Sequence, residues 1–374
     1  MKVGRIPWLV PCAVLAMASS TLARADDSMA GMGPMDHPMG NLELFLSVRA
    51  VESSHQAVKT NKLEDAWGMG DLVFAAERGR FRLMGEYNLS TEEHDFERLQ
   101  IGIEPKPDTL LWFGRFHHPG SAWNNEFHHG NYLQTAISRP SVELWEDEGG
   151  IVPQHLMGLM AESRIPLTGG RGLRVSLGVG YGSAMEEEGF EPLGIIQPES
   201  QGRHPSTAAQ LAWLPTYLGQ SSAGVLYSHH RSGVVETPLS LDLAANTVTE
   251  DVLGVYGHWV GSKWRVLGVA YFMRAGLDAV SGASRDEEFA AAYLQVETVL
   301  PDAFTLYARH ENSPRAGDSV LARSFVDSLI LHGNFLGLRR DFPHRQALTL
   351  ELSRATLVQG PVNRIRLQWS AALP

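Results

Sequence analysis

From Asn363 to Leu373 the chain alternates without a break. Ile365, Leu367, Trp369, Ala371 and Leu373 fall on one parity, and Arg364, Arg366, Gln368 and Ser370 fall on the other. Successive side chains of a strand point to opposite faces, so such a segment has one apolar and one polar face. Similar segments recur from residue 41 onward with no helical periodicity between them. A water-soluble sandwich would bury the apolar face against a second sheet. A long series of such strands behind an export signal fits another solution better. This is an all-β chain closed into a single transmembrane antiparallel up-and-down β-barrel, with its apolar face to lipid and its polar face to a wet lumen.

The export signal is read in residues 1–25. Lys2 and Arg5 precede an apolar run from Trp8 to Ala18, and Ala23-Arg24-Ala25 is a small-x-small cleavage site before Asp26. Cys12, the sole cysteine, lies inside it, so disulfides and thiol catalysis are excluded from the mature chain. Lys2, Arg5 and Arg24 leave with the signal. The 31 basic residues thus become 28 against 42 acidic ones, a formal charge of −14. That balance argues against nucleic acid as a partner. No apolar run after residue 40 reaches the roughly 20 residues of a membrane helix; Val266 to Met273 is among the longest.

Residues 26–40 form a separate leader too poor in large apolar groups to order itself. Candidate strands follow near 41–51, 66–77, 80–90, 97–104, 109–116, 153–165, 172–182, 207–214, 220–229, 251–260, 263–274, 287–299, 303–311, 325–339, 344–354 and 362–373. Short turns alternate with long connections at 117–152, 183–206, 230–250, 275–286 and 312–324. This is the pattern of a barrel with tight periplasmic turns and long external loops. Counting 325–339 as a strand gives sixteen and places both termini in the periplasm. Trp112, Trp213, Trp259, Trp264 and Trp369, at or near strand ends, are expected in interfacial girdles.

From residue 41 to the end, the chain resembles the bacterial outer-membrane porins. Leu336-Gly-Leu-Arg-Arg-Asp-Phe-Pro-His-Arg-Gln-Ala-Leu-Thr-Leu-Glu-Leu352 is similar to the penultimate hairpin of the phosphate-selective-like group. The chain departs from that class in ending Ala371-Ala372-Leu373-Pro374 instead of on an aromatic residue. The resemblance implies a passive channel for small solutes or ions in the Gram-negative outer membrane, with no enzymatic activity. It also implies contact with outer-membrane lipid and the barrel assembly machinery, and leaves both a single barrel and a homotrimer open. In that class the loop corresponding to 117–152 folds inward and narrows the barrel. Here it carries Glu143, Glu146, Asp147 and Glu148, while Arg80, Arg82, Arg98 and Arg115 fall on the expected lumen faces of nearby strands. Acids opposite a basic wall would set a transverse field across a pore constriction. The plainer alternative is a solvated acidic loop.

Three further patterns carry chemistry. His117-His118 and His128-His129 flank Asn124 and Asn125. Imidazoles suit zinc, copper and nickel, but adjacent residues of an extended chain face opposite ways, so one of each pair at most would meet a common ion. Met29, Met32, Met35, His37 and Met39 offer soft donors for weak Cu(I) binding. That leader resembles the Met/His-rich N-termini of outer-membrane copper-resistance proteins, giving a copper-handling barrel as an alternative. His230-x-Ser232 resembles part of the motif of outer-membrane phospholipases, giving a lipid hydrolase as a second alternative. The Asn of that motif is absent after Ser232, and incidental occurrence is the plainer reading.

Overall fold

The computed structural model describes residues 41–54, 67–91, 94–121, 123–124, 127, 130–144, 146, 149–186, 189–195, 202–235, 245–279, 284–324 and 329–374. The signal segment 1–25 and the leader 26–40 therefore lie outside the described residues. The strands are β1 (Asn41–Ser53), β2 (Trp67–Arg78), β3 (Phe81–Ser90), β4 (His94–Lys106), β5 (Thr109–His117), β6 (His155–Pro166) and β7 (Gly172–Tyr181). A small hairpin, β8 (Ala184–Glu186) and β9 (Gly189–Glu191), follows. Then come β10 (Pro205–Leu214), β11 (Ser222–Gly233), β12 (Ala245–Val260), β13 (Trp264–Ala279), β14 (Ser284–Leu300), β15 (Phe304–Asn312), β16 (Ile330–Phe342), β17 (Gln346–Leu357) and β18 (Gly360–Leu373). All but β8 and β9 join one closed antiparallel barrel, sixteen strands among the described residues. It closes through β1 against β18, with Ser47 opposite Ser370.

Closure leaves the sheet no free edge, the condition for placing strands in hydrocarbon. The outward positions supply the matching apolar belt. Leu253, Phe272, Leu294, Leu336, Leu350 and Ile365 are exposed on β12, β13, β14, β16, β17 and β18. Trp213, Trp259, Trp264 and Trp369 are also exposed, all near the short-turn end, where they mark one edge of that belt. Trp112 departs from the expected girdle. It points inward, is buried, and donates its indole N–H to Glu162 at 2.9 Å. Both β1 and β18 terminate the barrel at the short-turn end.

Each of the sixteen expected segments lies on a barrel strand, including 325–339, which overlaps β16. The connection expected over 275–286 is much shorter than that, because β13 continues to Ala279 and β14 begins at Ser284. Polar cross-strand pairs extend the ladder beyond the apolar belt, Arg274 with Asp286 at 3.2 Å among them. Positive φ angles fall in the tight turns, at Gly79, Asp108, Asp302 and His344.

The lumen is not uniformly polar, which corrects the expectation of a wet inner face. On β13 the inward positions Leu267, Val269, Tyr271, Met273, Ala275 and Leu277 are all buried. They join Leu226 of β11, Val252 and Tyr256 of β12, and Phe289 and Tyr293 of β14 in one cluster. Trp123, Phe127, Val142, Ile151 and Val152 of the long connection pack onto that cluster. So do Met185 and Phe190 of β8–β9, and Val320 and Leu321 of the connection after β15. The inner faces of β15–β18 and β1 are mainly polar, with Arg309, Glu311, Arg339, Thr349, Glu351, Arg364, Arg366, Gln368, Ser47 and Arg49, beside a smaller apolar cluster of Ile330, Phe335, Ala355, Leu357 and Val362.

Candidate functional site

The connection between β5 and β6 reaches the far wall. Near its start, Gln210 of β10 donates to the Gly120 carbonyl. Ser121 Oγ donates to Glu143 Oε1 at 2.5 Å, and Tyr271 Oη of β13 meets the same oxygen at 3.2 Å. A single helical turn, Gly130–Leu133, then lies beside β1, where Asn131 donates to Ser47 Oγ at 2.9 Å. Thr135 Oγ1 donates to Glu297 of β14 at 2.7 Å.

The polar wall receives the next stretch through side chains that bond its backbone. Arg339 donates to the carbonyls of Tyr132 and Gln134. Arg49 donates to the Ile137 carbonyl at 3.0 Å, and Arg309 to the Ser138 carbonyl at 2.6 Å. Ser138 Oγ donates to Glu351 Oε1 at 2.7 Å, and Glu311 accepts from both the amide and the hydroxyl of Ser141 at 2.8 Å. Glu351 is also held by Tyr307 Oη at 2.7 Å and by Arg366 at 3.0 Å. Tyr307 lies across Gly337, where a Cβ would stand 2.2 Å from its ring, so only glycine leaves room for it. Carbonyls left without a ladder in an irregular segment need such donors, and arginine supplies several from one side chain.

Buried titratable groups of this connection are shifted in different directions. Burial pushes the Glu143 carboxyl up to about 7, against the hydrogen bonds from Ser121 and Tyr271. Burial alone would also raise Glu146, but the His155 imidazole 2.8 Å away and the His155 amide draw it down to about 2. Burial lowers His118 to about 4.

The acids and arginines expected to face each other across a constriction are not brought together. Glu143 lies against the apolar wall, and Glu146 is tied to His155, Gln154 and Ser183. Asp147 and Glu148 lie outside the described residues. Arg80 is exposed in the β2–β3 turn, and Arg82 near it is shared between Glu77 and Glu104, at the short-turn rim. Arg98 pairs with Glu86 at 3.0 Å, and Arg115 with Asp95 at 3.1 Å. Charge counting found these arginines, but not that Glu86 and Asp95 of neighbouring strands pair with Arg98 and Arg115. The arginines that do meet the loop, Arg49, Arg309 and Arg339, come from strands remote in sequence, and Arg366 reaches it through Glu351. Their inward parity was visible in β18, where Arg364 and Arg366 alternate with Ile365 and Leu367.

His117 faces His155, with ring centroids 4.8 Å apart, while His118 approaches His230 at 5.7 Å. The adjacent histidines thus diverge, and His128 and His129 lie outside the described residues. So do Met29, Met32, Met35, His37 and Met39. On β11, His230 and Ser232 are both buried, and neither ring nitrogen of His230 makes a hydrogen bond among the described residues. His230 is therefore not placed as a base for Ser232.

No known family model and no curated protein matches the sequence. The fold, by contrast, has many solved counterparts. The anion-selective porin of Comamonas acidovorans aligns over 89% of this chain and 99% of its own, at 11% identity and a TM-score of 0.56. The outer-membrane channel DcaP of Acinetobacter baumannii aligns over 92% and 100%, at 13% identity and 0.54. OmpF of Salmonella typhi, solved with daunomycin, aligns over 89% and 97%, at 10% identity and 0.56. The chain has the fold of the sixteen-stranded outer-membrane porins.

Proposed function

We propose that this chain is an outer-membrane channel for passive diffusion of small solutes, with its path along the polar wall of β15–β18 and β1. The observation that carries this reading is the division of the lumen. Loops fill the apolar side, whereas the loop segment from Tyr132 to Ser141 meets a polar side rich in arginine. Arg49, Arg309, Arg339, Arg364 and Arg366 lie there, with Glu311, Asp341 and Glu351 as the acids among them, leaving arginine in excess. A ring of fixed positive charge in a narrow, low-dielectric passage concentrates anions. The constriction is thus assigned to residues 132–141 against these arginines, and the preference is for small anionic or dipolar solutes.

Outer-membrane lipid around the apolar belt, assembly by the barrel assembly machinery, and a homotrimer in the membrane belong to the same proposal. Weak Cu(I) contact at Met29, Met32, Met35, His37 and Met39 would be an addition to the channel and not a condition for it.

Reconstitution into planar bilayers across a potassium chloride gradient tests the reading. Stepwise conductance with a reversal potential of anionic sign is expected, weakened in Arg366→Gln. A protein that inserts, shows heat-modifiable mobility and never conducts would refute the channel. Cation preference in the wild type would refute the role given to the arginines.

A further inference from the structure

Away from the polar wall, three strands bring a different donor set together. Glu97 is the extra residue at a bulge on β4, where the register to β3 slips between Glu86 and Tyr87. Bulges redirect single side chains in this way. His117 ends β5 and His155 begins β6, and the two are register partners on one face. Gly114, just before, takes φ 137°, a conformation closed to other residues, and a Cβ there would stand 2.2 Å from the Leu99 carbonyl oxygen. Both histidines are buried.

One ligand atom from each of Glu97, His117 and His155 lies within 4.8 Å of the other two. Glu97 Oε2 and His155 Nε2 are 3.4 Å apart. Donors about 2.1 Å from a tetrahedral zinc stand about 3.4 Å from one another, so this edge already has the required span. The other ring nitrogen of His155, Nδ1, lies 2.8 Å from Glu146 Oε2. That is the carboxylate–imidazole contact which fixes the tautomer and the orientation of a metal-binding histidine. Glu146 is itself held by the amides of Gln154 and His155 at 2.6 and 2.7 Å and by Ser183 Oγ at 3.1 Å. Charge also favours a dication. Glu97 and Glu146 both flank His155, and Arg115 is shared between Asp95 at 3.1 Å and Glu97 at 4.0 Å.

We propose that Glu97, His117 and His155 form a binding site for a divalent transition-metal ion, with zinc the best match to two imidazoles and a carboxylate. Glu146 acts as the positioning residue. The ion would fasten β4, β5 and β6 together and, through Glu146, fasten the end of the loop that crosses the lumen. The site does not depend on whether the barrel conducts.

The test is zinc binding by the purified full-length protein in detergent, freed of metal with a chelator, titrated with zinc sulfate and read by metal content after desalting. One zinc per chain is expected, with a rise in the temperature at which the heat-modifiable band converts. His117→Ala should weaken binding by about 100-fold, since losing even an orienting partner costs 10- to 100-fold. Glu97→Gln keeps the side-chain volume and should also weaken it, which decides the matter if His117→Ala fails to fold. A variant lacking residues 26–40 should bind zinc as the wild type does. Two outcomes would overturn the site: no retained zinc in the wild type, leaving His155 simply bridging Glu97 and Glu146, or equal retention by the wild type, His117→Ala and Glu97→Gln.

Discussion

On β13, six inward positions in succession carry Leu267, Val269, Tyr271, Met273, Ala275 and Leu277, whereas on β18 the inward run is Arg364, Arg366, Gln368 and Ser370. The same loop touches both sides of the barrel. Against the apolar side it is held by burial, through Trp123, Phe127, Val142, Ile151 and Val152. Against the polar side it is held by hydrogen bonds from side chains to its backbone, from Arg49, Arg309 and Arg339. Burial is non-directional and excludes water, so the apolar contact anchors the loop but leaves no path there. Charge-assisted bonds hold the chain at particular carbonyls and keep fixed charge at the surface of a passage. One side of the interior supports the loop, and the other is the side to which the proposed path is assigned.

The largest effect is expected where the anchor is broken. Trp123 is 1% exposed and meets Phe127 and Tyr293 edge-on. Trp123→Ala should cost about 3 to 5 kcal/mol of loop docking. Proteolysis within 117–152 and larger, noisier conductance steps would report it. A loop as resistant as the wild type would place the anchor elsewhere.

Next in size is the pH response of the same side. Glu143 is buried in its neutral form, with its carboxyl raised to about 7. The docked loop therefore keeps a proton that the undocked loop gives up near the ordinary carboxylate value. Raising pH from about 4.5 through about 7 should favour undocking by about 3 kcal/mol in all, with nothing further lost above that range. Glu143→Gln should flatten the dependence of channel noise on pH over this window. A mutant that retains the full wild-type slope would clear Glu143 of the effect.

On the polar side, Glu351→Gln should be milder for stability, about 2 kcal/mol, because the amide keeps some of the bonds to Ser138, Tyr307 and Arg366. Its signature lies in selectivity. With one acid fewer among the arginines, the reversal potential should move further toward anions. A shift toward cations would contradict the assignment of the path.

Smallest of all is Arg82→Ala at the short-turn rim, part-exposed between Glu77 and Glu104. A change within about 0.5 kcal/mol and an unaltered reversal potential are expected.

The contrast between the two sides also marks how far the sequence could be read. Strand positions were legible because lipid demands an apolar residue at every second place, as from Ile365 to Leu373, and because even parity must close the barrel. The apolar side had a signal too. Val266 to Met273 is apolar at both parities, the mark of a strand with apolar surroundings on both faces. Trp112 departs because proximity to a strand end does not tell an inward tryptophan from an outward one, and β5 carries large apolar residues at both parities, Leu111 and Phe113 outward and Trp112 and Phe116 inward. The loop partners were the least legible. Glu143 against Tyr271, and Ser138 against Glu351 and Arg309, join residues more than a hundred positions apart. No local spacing encodes such a contact.

Water access to the two sides tests the central claim most directly. In a background where Cys12, the sole cysteine, is replaced by serine, single cysteines can be placed at Ser353 and Arg364 on the polar wall and at Val252 and Met273 on the apolar wall. A charged, membrane-impermeant methanethiosulfonate reagent is then added while single-channel current is recorded. The division predicts rapid modification and stepwise loss of current for Ser353→Cys and Arg364→Cys, and no reaction for Val252→Cys and Met273→Cys. Equal modification on both walls, or block from the apolar wall alone, would contradict it.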